Sequence, residues 1–88
     1  MAKFRKKPVV IEAIEWTGDY DTLPEHPEWF EEACVRGTVI QGAGPELTVC
    51  TLEGNHTAIV GDMIIQGVKG ELYPCKADIF ALTYEAVE

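Results

Sequence analysis

Three thiols (Cys34, Cys50, Cys75), two imidazoles (His26, His56) and one carboxylate in a tight bend (Asp62) are the side chains of this 88-residue chain that invite a catalytic or metal-binding reading. Structural zinc draws on closely spaced ligand pairs. Here the histidines stand 30 residues apart and the cysteines follow at intervals of 16 and 25, so the expectation is no metal and no other cofactor. An odd cysteine count without a CxxC pair gives no disulfide framework either, which fits a reducing cytosol. A Cys75 nucleophile served by His56 requires the fold to bring the two together, because such pairs are spatial and not sequential. The competing reading takes Cys75 as a small buried side chain beside Pro74, with Cys34 and Cys50 as packing residues, since free cysteine is among the most buried residue types.

Gly61-Asp62 is the sharpest local signal. An Asp side chain bonds its own backbone in a tight turn and Gly tolerates positive φ, so the pair is expected to be a structural turn and Asp62 neither acid nor base. Gly67-Val68-Lys69-Gly70 lacks the GxxxxGK[ST] pattern and leads into a strand, so Gly67 and Gly70 are expected to form a hairpin turn and not a phosphate loop. Lys69, Tyr73 and Lys76 form the candidate ligand-binding set. Two cations and one aromatic near one edge of an acidic surface would suit a phosphorylated or nucleotide ligand, by ion pairing and stacking; the alternative is a solvated lysine pair and a core tyrosine. No catalytic residues are expected, and the chain reads as non-enzymatic.

The net charge is −8, and it is unevenly spread. Lys3, Arg5, Lys6 and Lys7 make residues 1–7 a basic N-terminal arm, whereas from Pro8 onward three basic residues face fifteen acidic ones, a net −12. That disfavours broad binding to duplex DNA. The apolar run after the arm stops at Glu12 with no small-residue cleavage site behind it, which argues against an export signal. No stretch approaches the roughly 18–20 apolar residues that span a bilayer, so a soluble protein without membrane contact is expected.

The chain is long enough for one domain, residues 1–88, and its 47% apolar content excludes a disordered or collagen-like chain. Residues 8–16 alternate and are β-branched, as a first strand should be. Thr22 and Glu25 have capping-box spacing, and Pro24 and Pro27 suit a first helical turn, which predicts a helix from 24 or 27 to 36 closed by Arg36-Gly37. Phe30, Ala33 and Cys34 then share its apolar face. A meander of short strands follows over 38–73, with Pro74 ending the last, and helical spacing returns near 77–83. The expected fold is α+β: one curled antiparallel β-sheet packed on one main helix, with a short C-terminal helical turn. So small a domain with open strand edges is expected to form a homo-oligomer, a dimer at least.

Four blocks resemble a known family: Phe4 to Ala13 with Trp16-Thr17-Gly18; Thr51-Leu52-Glu53-Gly54; Gly61-Asp62 with Ile64-Ile65 and Gly67 to Glu71; and Tyr73 to Lys76 with Asp78-Ile79-Phe80 and Tyr84-Glu85. The chain is similar over nearly its whole length to the PGDYG-type family of small phage and prophage proteins, departing from the name-giving motif at Val60 and Met63. The resemblance implies a phage accessory protein in the host bacterial cytoplasm. Two binding roles are expected of it: an acidic module that engages or inhibits a host protein, favoured by the charge, or a protein that sequesters a small phosphorylated, nucleotide-like ligand at an oligomer interface, favoured by Lys69, Tyr73 and Lys76.

Overall fold

Pro24 and Pro27 decide where the first helix can begin. A residue that precedes proline is pushed out of the α region, so Leu23 and His26 stay extended and the helix is held off until Glu28. The computed structural model describes residues 2–4 and 9–87; Arg5, Lys6, Lys7 and Pro8, and with them most of the basic arm, lie outside the described residues, and the first strand expected over 8–16 is shorter, Glu12–Glu15, with Val9 to Ile11 and Trp16 not in it. Helix α1 (Glu28–Arg36) has Pro27 as N-cap with no side-chain cap bond. The capping box expected from Thr22 and Glu25 is therefore not formed: Thr22 ends a short 3-10 turn (Tyr20–Thr22), where its hydroxyl donates to the Asp19 carbonyl at 2.9 Å and also meets the Thr17 hydroxyl. At the other end Gly37 takes φ 79°, and the Gly37 and Thr38 amides close the helix on the Cys34 and Ala33 carbonyls.

The fold is α+β, with two antiparallel three-stranded sheets and two helices. The strands are β1 (Glu12–Glu15), β2 (Val39–Gln41), β3 (Leu47–Thr51), β4 (Gly54–Ala58), β5 (Met63–Gln66) and β6 (Leu72–Cys75); helix α2 spans Ala77–Thr83. One sheet has the order β1-β5-β6 and the other β2-β3-β4. The expected single curled sheet is thus corrected to two sheets, neither strongly curled. The break comes at Gly61-Asp62. After β4 the chain does not fold back on it; the Gly61 amide donates to the Trp16 carbonyl at 2.9 Å and the Trp16 amide to the Asp62 carbonyl at 2.8 Å, so the bend seats the next strand on β1. β5 is then flanked by β1 and β6, and β4 is left as an edge. Pro74 does not end β6 but lies within it, opposite Ile64. β6 is an edge strand, where a residue without an amide hydrogen is tolerated.

The two sheets and α1 meet in one core. Trp16, Phe30, Val49 and Ile64 are fully buried, with Ile14, Leu23, Ala33, Val39, Leu47, Ala58 and Leu72 around them. Ile65, equally buried, stands apart from this cluster because it points to the opposite face of its sheet, in the row Ala13–Ile65–Tyr73. On that side Phe80 and Tyr84 come close to Ala13 and Met63 around a shallow groove. The first sheet is thereby covered by the core on one face and partly by the C-terminal segment on the other. No helix among the described residues is long and apolar enough to cross a membrane.

The bend before β5 gives a prediction. Asp62 is 7% exposed and its Oδ2 accepts the Ile59 amide at 3.0 Å, while the Asp62 amide donates back to the Ile59 carbonyl. Gly61 has φ 96° with open space where a Cβ would stand. Gly61→Ala therefore costs about 1–2 kcal/mol through backbone strain alone. Asp62→Ala costs about 1–3 kcal/mol because it orphans the amide, and Asp62→Asn less because its oxygen can still accept. Urea denaturation measures the order, and an Asp62→Asn loss as large as that of Asp62→Ala would contradict it.

Candidate functional site

A groove of about 870 Å³ among the described residues is walled by three elements. α1 supplies Trp29, Glu32, Ala33 and Arg36, a stripe at helical spacing along its flank. The β3–β4 hairpin supplies Cys50 to Glu53 and His56, and the β5–β6 hairpin supplies Gln66 and Lys69 to Tyr73. His56 reaches the groove because β4 is an edge strand: it is paired with buried Val49 and so shares the inner face, but the sheet stops there and the imidazole is exposed. Lys69 stands at the tip of the β5–β6 turn, where the Gly70 amide donates to the Gly67 carbonyl and Gly70 takes φ 85°. Gly67 has no positive φ, and a Cβ there would meet the exposed Glu71 carboxylate, which can swing aside.

Three cationic or ionisable basic side chains from three elements, Arg36, His56 and Lys69, converge on this groove, with Trp29 on its wall. Glu32, Glu53 and Glu71 line it too. Among the described residues the one ion pair is Arg36–Glu32 at 3.6 Å, both side chains more than half exposed, a pair too solvated to tie the guanidinium down. The groove thus offers cations to a phosphate, carboxylates to hydroxyl or amino hydrogens, and an indole to a planar ring.

Of the sequence-expected set, Lys69 and Tyr73 line this groove and Lys76 does not. Lys76 is the exposed N-cap of α2, three residues beyond Tyr73 along an extended strand and so about 10 Å further on. Tyr73 is in part committed elsewhere. Hydrogen bonding to Tyr84, then burial, pushes its hydroxyl up to about pKa 12, and its side chain alternates away from core-facing Leu72. Arg36, His56 and Trp29 lie outside the expected set; the stripe Trp29–Ala33–Arg36 points to two of them, and no local pattern points to His56.

The remaining reactive groups lie apart. His26 stacks on Tyr20 at 4.5 Å, and its Nε2 is 2.8 Å from the Tyr20 carbonyl oxygen. Cys75 faces Met63 across β5 and is not in the groove that holds His56; burial, then Asp62 and Asp78, pushes its thiol up, opposite to what activates a nucleophile. Cys34 is raised by burial and then by Glu31. All three cysteines are free and half-buried, and no group of three His, Cys, Asp or Glu residues among the described residues could hold a metal ion. A smaller cavity of about 410 Å³ lined by Trp16, Tyr20, Phe30 and Leu47 has apolar walls, and the Trp16 indole beside it already donates to the Pro45 carbonyl at 2.7 Å.

Tyr20 donates to the Glu31 carboxylate, and this bond, then burial, then the Glu31 charge, pushes its pKa up to about 12. For both Tyr20 and Tyr73 the folded value lies above the ordinary 10, so the stability each confers is complete below pH 10 and lost as pH rises through 12. Tyrosinate absorbance is expected to show two of the three tyrosines ionising near 12, one of them lost in Tyr20→Phe. Ionisation of all three near 10 would contradict these hydrogen bonds.

Compared with known proteins, the chain matches no family model, no curated protein and no solved structure.

Proposed function

We propose that the protein acts by binding, without chemical turnover, and that its ligand is a small phosphorylated molecule with a planar ring, of nucleotide type, held in the groove between α1 and the two hairpins. The observation that carries this reading is the convergence of Arg36, His56 and Lys69 beside Trp29 in a chain whose net charge is −8. Two cations and an imidazole gathered from three separate elements place nitrogen donors on one groove of an otherwise acidic chain, beside the carboxylates of Glu32, Glu53 and Glu71. The planar Arg36 fork and the Lys69 ammonium suit phosphate oxygens, and the Trp29 ring suits a base. Glu32, Glu53 and Glu71 suit the hydroxyl and amino hydrogens that such a ligand also carries. With the resemblance to phage proteins, the role is that of an accessory protein that sequesters the ligand in the host cytoplasm.

A second reading keeps the protein partner. Glu12, Glu28 and Glu32 surround Trp29 and Pro27 on the outer side of α1, a face suited to a basic surface of a host protein. Thermal unfolding with a panel of mononucleotides, dinucleotides and cyclic nucleotides tests the first reading. A ligand bound only to the folded state at 100 times its Kd adds about 2.7 kcal/mol, which raises Tm by roughly 11–22 °C for a chain of this size. If no member of the panel raises Tm, the groove reading falls and the acidic face takes its place.

A further inference from the structure

We propose that two copies of the chain pair through β4, edge to edge and antiparallel about a twofold axis at His56, to make one six-stranded sheet. The proposal stands apart from what the groove binds. The Cys50 amide donates to the Thr38 carbonyl at 2.8 Å, so the backbone polar groups of Cys50 face away from β4. Its partner Asn55 therefore occupies a position without ladder hydrogen bonds, and the Asn55 N–H and C=O point outward; two residues on, Thr57 opposite Thr48 does the same. Gly54 to Thr57 are all exposed, and among the described residues no backbone bond outside the sheet ladder reaches Asn55 or Thr57.

The other edges carry the devices that stop strand pairing. β1 bears Glu12 and Glu15, β6 contains Pro74, and β2 is three residues long. β4 has no proline and no Asp, Glu, Lys or Arg over its five residues. In a chain of net charge −8 this is an edge along which a second copy meets no opposing strand charge. The outward set is also complementary to itself: with His56 opposite the partner's His56, Asn55 faces the partner's Thr57, and each such pair exchanges two N–H···O bonds. Both imidazoles then lie on one face, at the open side of the groove, so the site of one protomer is bordered by the partner's His56.

Sedimentation of the ligand-free protein tests this together with Thr57→Pro. The proline removes an outward amide hydrogen that the β3–β4 ladder does not use, so the fold is retained while the edge is blocked. The wild-type chain is expected to sediment as a dimer at tens of micromolar, and Thr57→Pro as a monomer with the same far-UV circular dichroism and a dissociation constant raised by at least about 100-fold. Amide hydrogen exchange on the wild-type chain needs no variant: the Asn55 and Thr57 amides are expected to be protected in the dimer and to lose protection on dilution, while ladder amides of β3 stay protected. A wild-type monomer at every concentration, a dimer that survives Thr57→Pro, or Asn55 and Thr57 amides that exchange freely in the dimer would each overturn the proposal.

Discussion

Trp16→Ala is expected to remove about 3–5 kcal/mol of stability, the range for emptying a large aromatic site in a packed core. Trp16 has no solvent exposure, its ring centroid lies 6.5 Å from that of Phe30, and its indole N–H donates to the Pro45 carbonyl at 2.7 Å. Its own backbone is clamped by Gly61 and Asp62 at the point where the chain passes from one sheet to the other. At about 0.05–0.15 kcal/mol per residue, a domain of this size has only about 4–13 kcal/mol in all, so the substitution takes roughly a quarter of it at least. The expected fall in Tm is roughly 12–40 °C. Trp16→Phe keeps most of the ring and loses the indole bond, so its loss should be well below that of the alanine variant. A loss under about 1 kcal/mol for Trp16→Ala would mean that the two sheets are not joined through this side chain.

Reversing Arg36 and Lys69 together to Glu is expected to weaken a phosphorylated ligand by at least about 100-fold, since each charge-assisted hydrogen bond contributes about 1.5–3 kcal/mol and its replacement adds repulsion. Both side chains stand on the surface, and Arg36 makes only the solvated contact with Glu32, so the unliganded Tm should change little. Lys76→Glu serves as the control. It lies outside the groove and should alter affinity only through weak, screened charge. Equal losses from Lys76→Glu and from the double reversal would show that ligand affinity follows overall charge and not the groove.

Local chemistry was legible in the sequence wherever a short stretch decides its own conformation. The stripe Phe30, Ala33, Cys34 with Gly37 beyond it marks the helix and its end, and the spacing of Ile79, Phe80 and Leu82 marks the second helix. The β3–β4 hairpin follows from the alternation of Leu47 to Thr51 and the turn after it. The capping-box pattern at Thr22 and Glu25 misled because the two prolines set backbone angles more firmly than a side-chain cap can. The number of sheets was not legible either: it depends on the bend at Gly61-Asp62 choosing Trp16 as its partner, a contact across 45 residues of chain. For the site, Lys69 and Tyr73 were found from their neighbourhood in sequence, and Lys76 was included for the same reason. An extended strand carries it away, whereas Arg36 and His56 come from other elements that only the packing of both hairpins beside α1 brings near.

The most direct measurement of the binding claim is an NMR titration of the full chain with the panel member that raises Tm most. The Trp29 indole N–H, the amides of Thr51 to Glu53 and of Lys69 and Gly70, and the His56 ring are expected to shift together with a single Kd, while the amides around Lys76 stay in place. Saturable binding that moves residues outside the groove and leaves Lys69, His56 and Trp29 unperturbed, or no perturbation by any nucleotide, would contradict it.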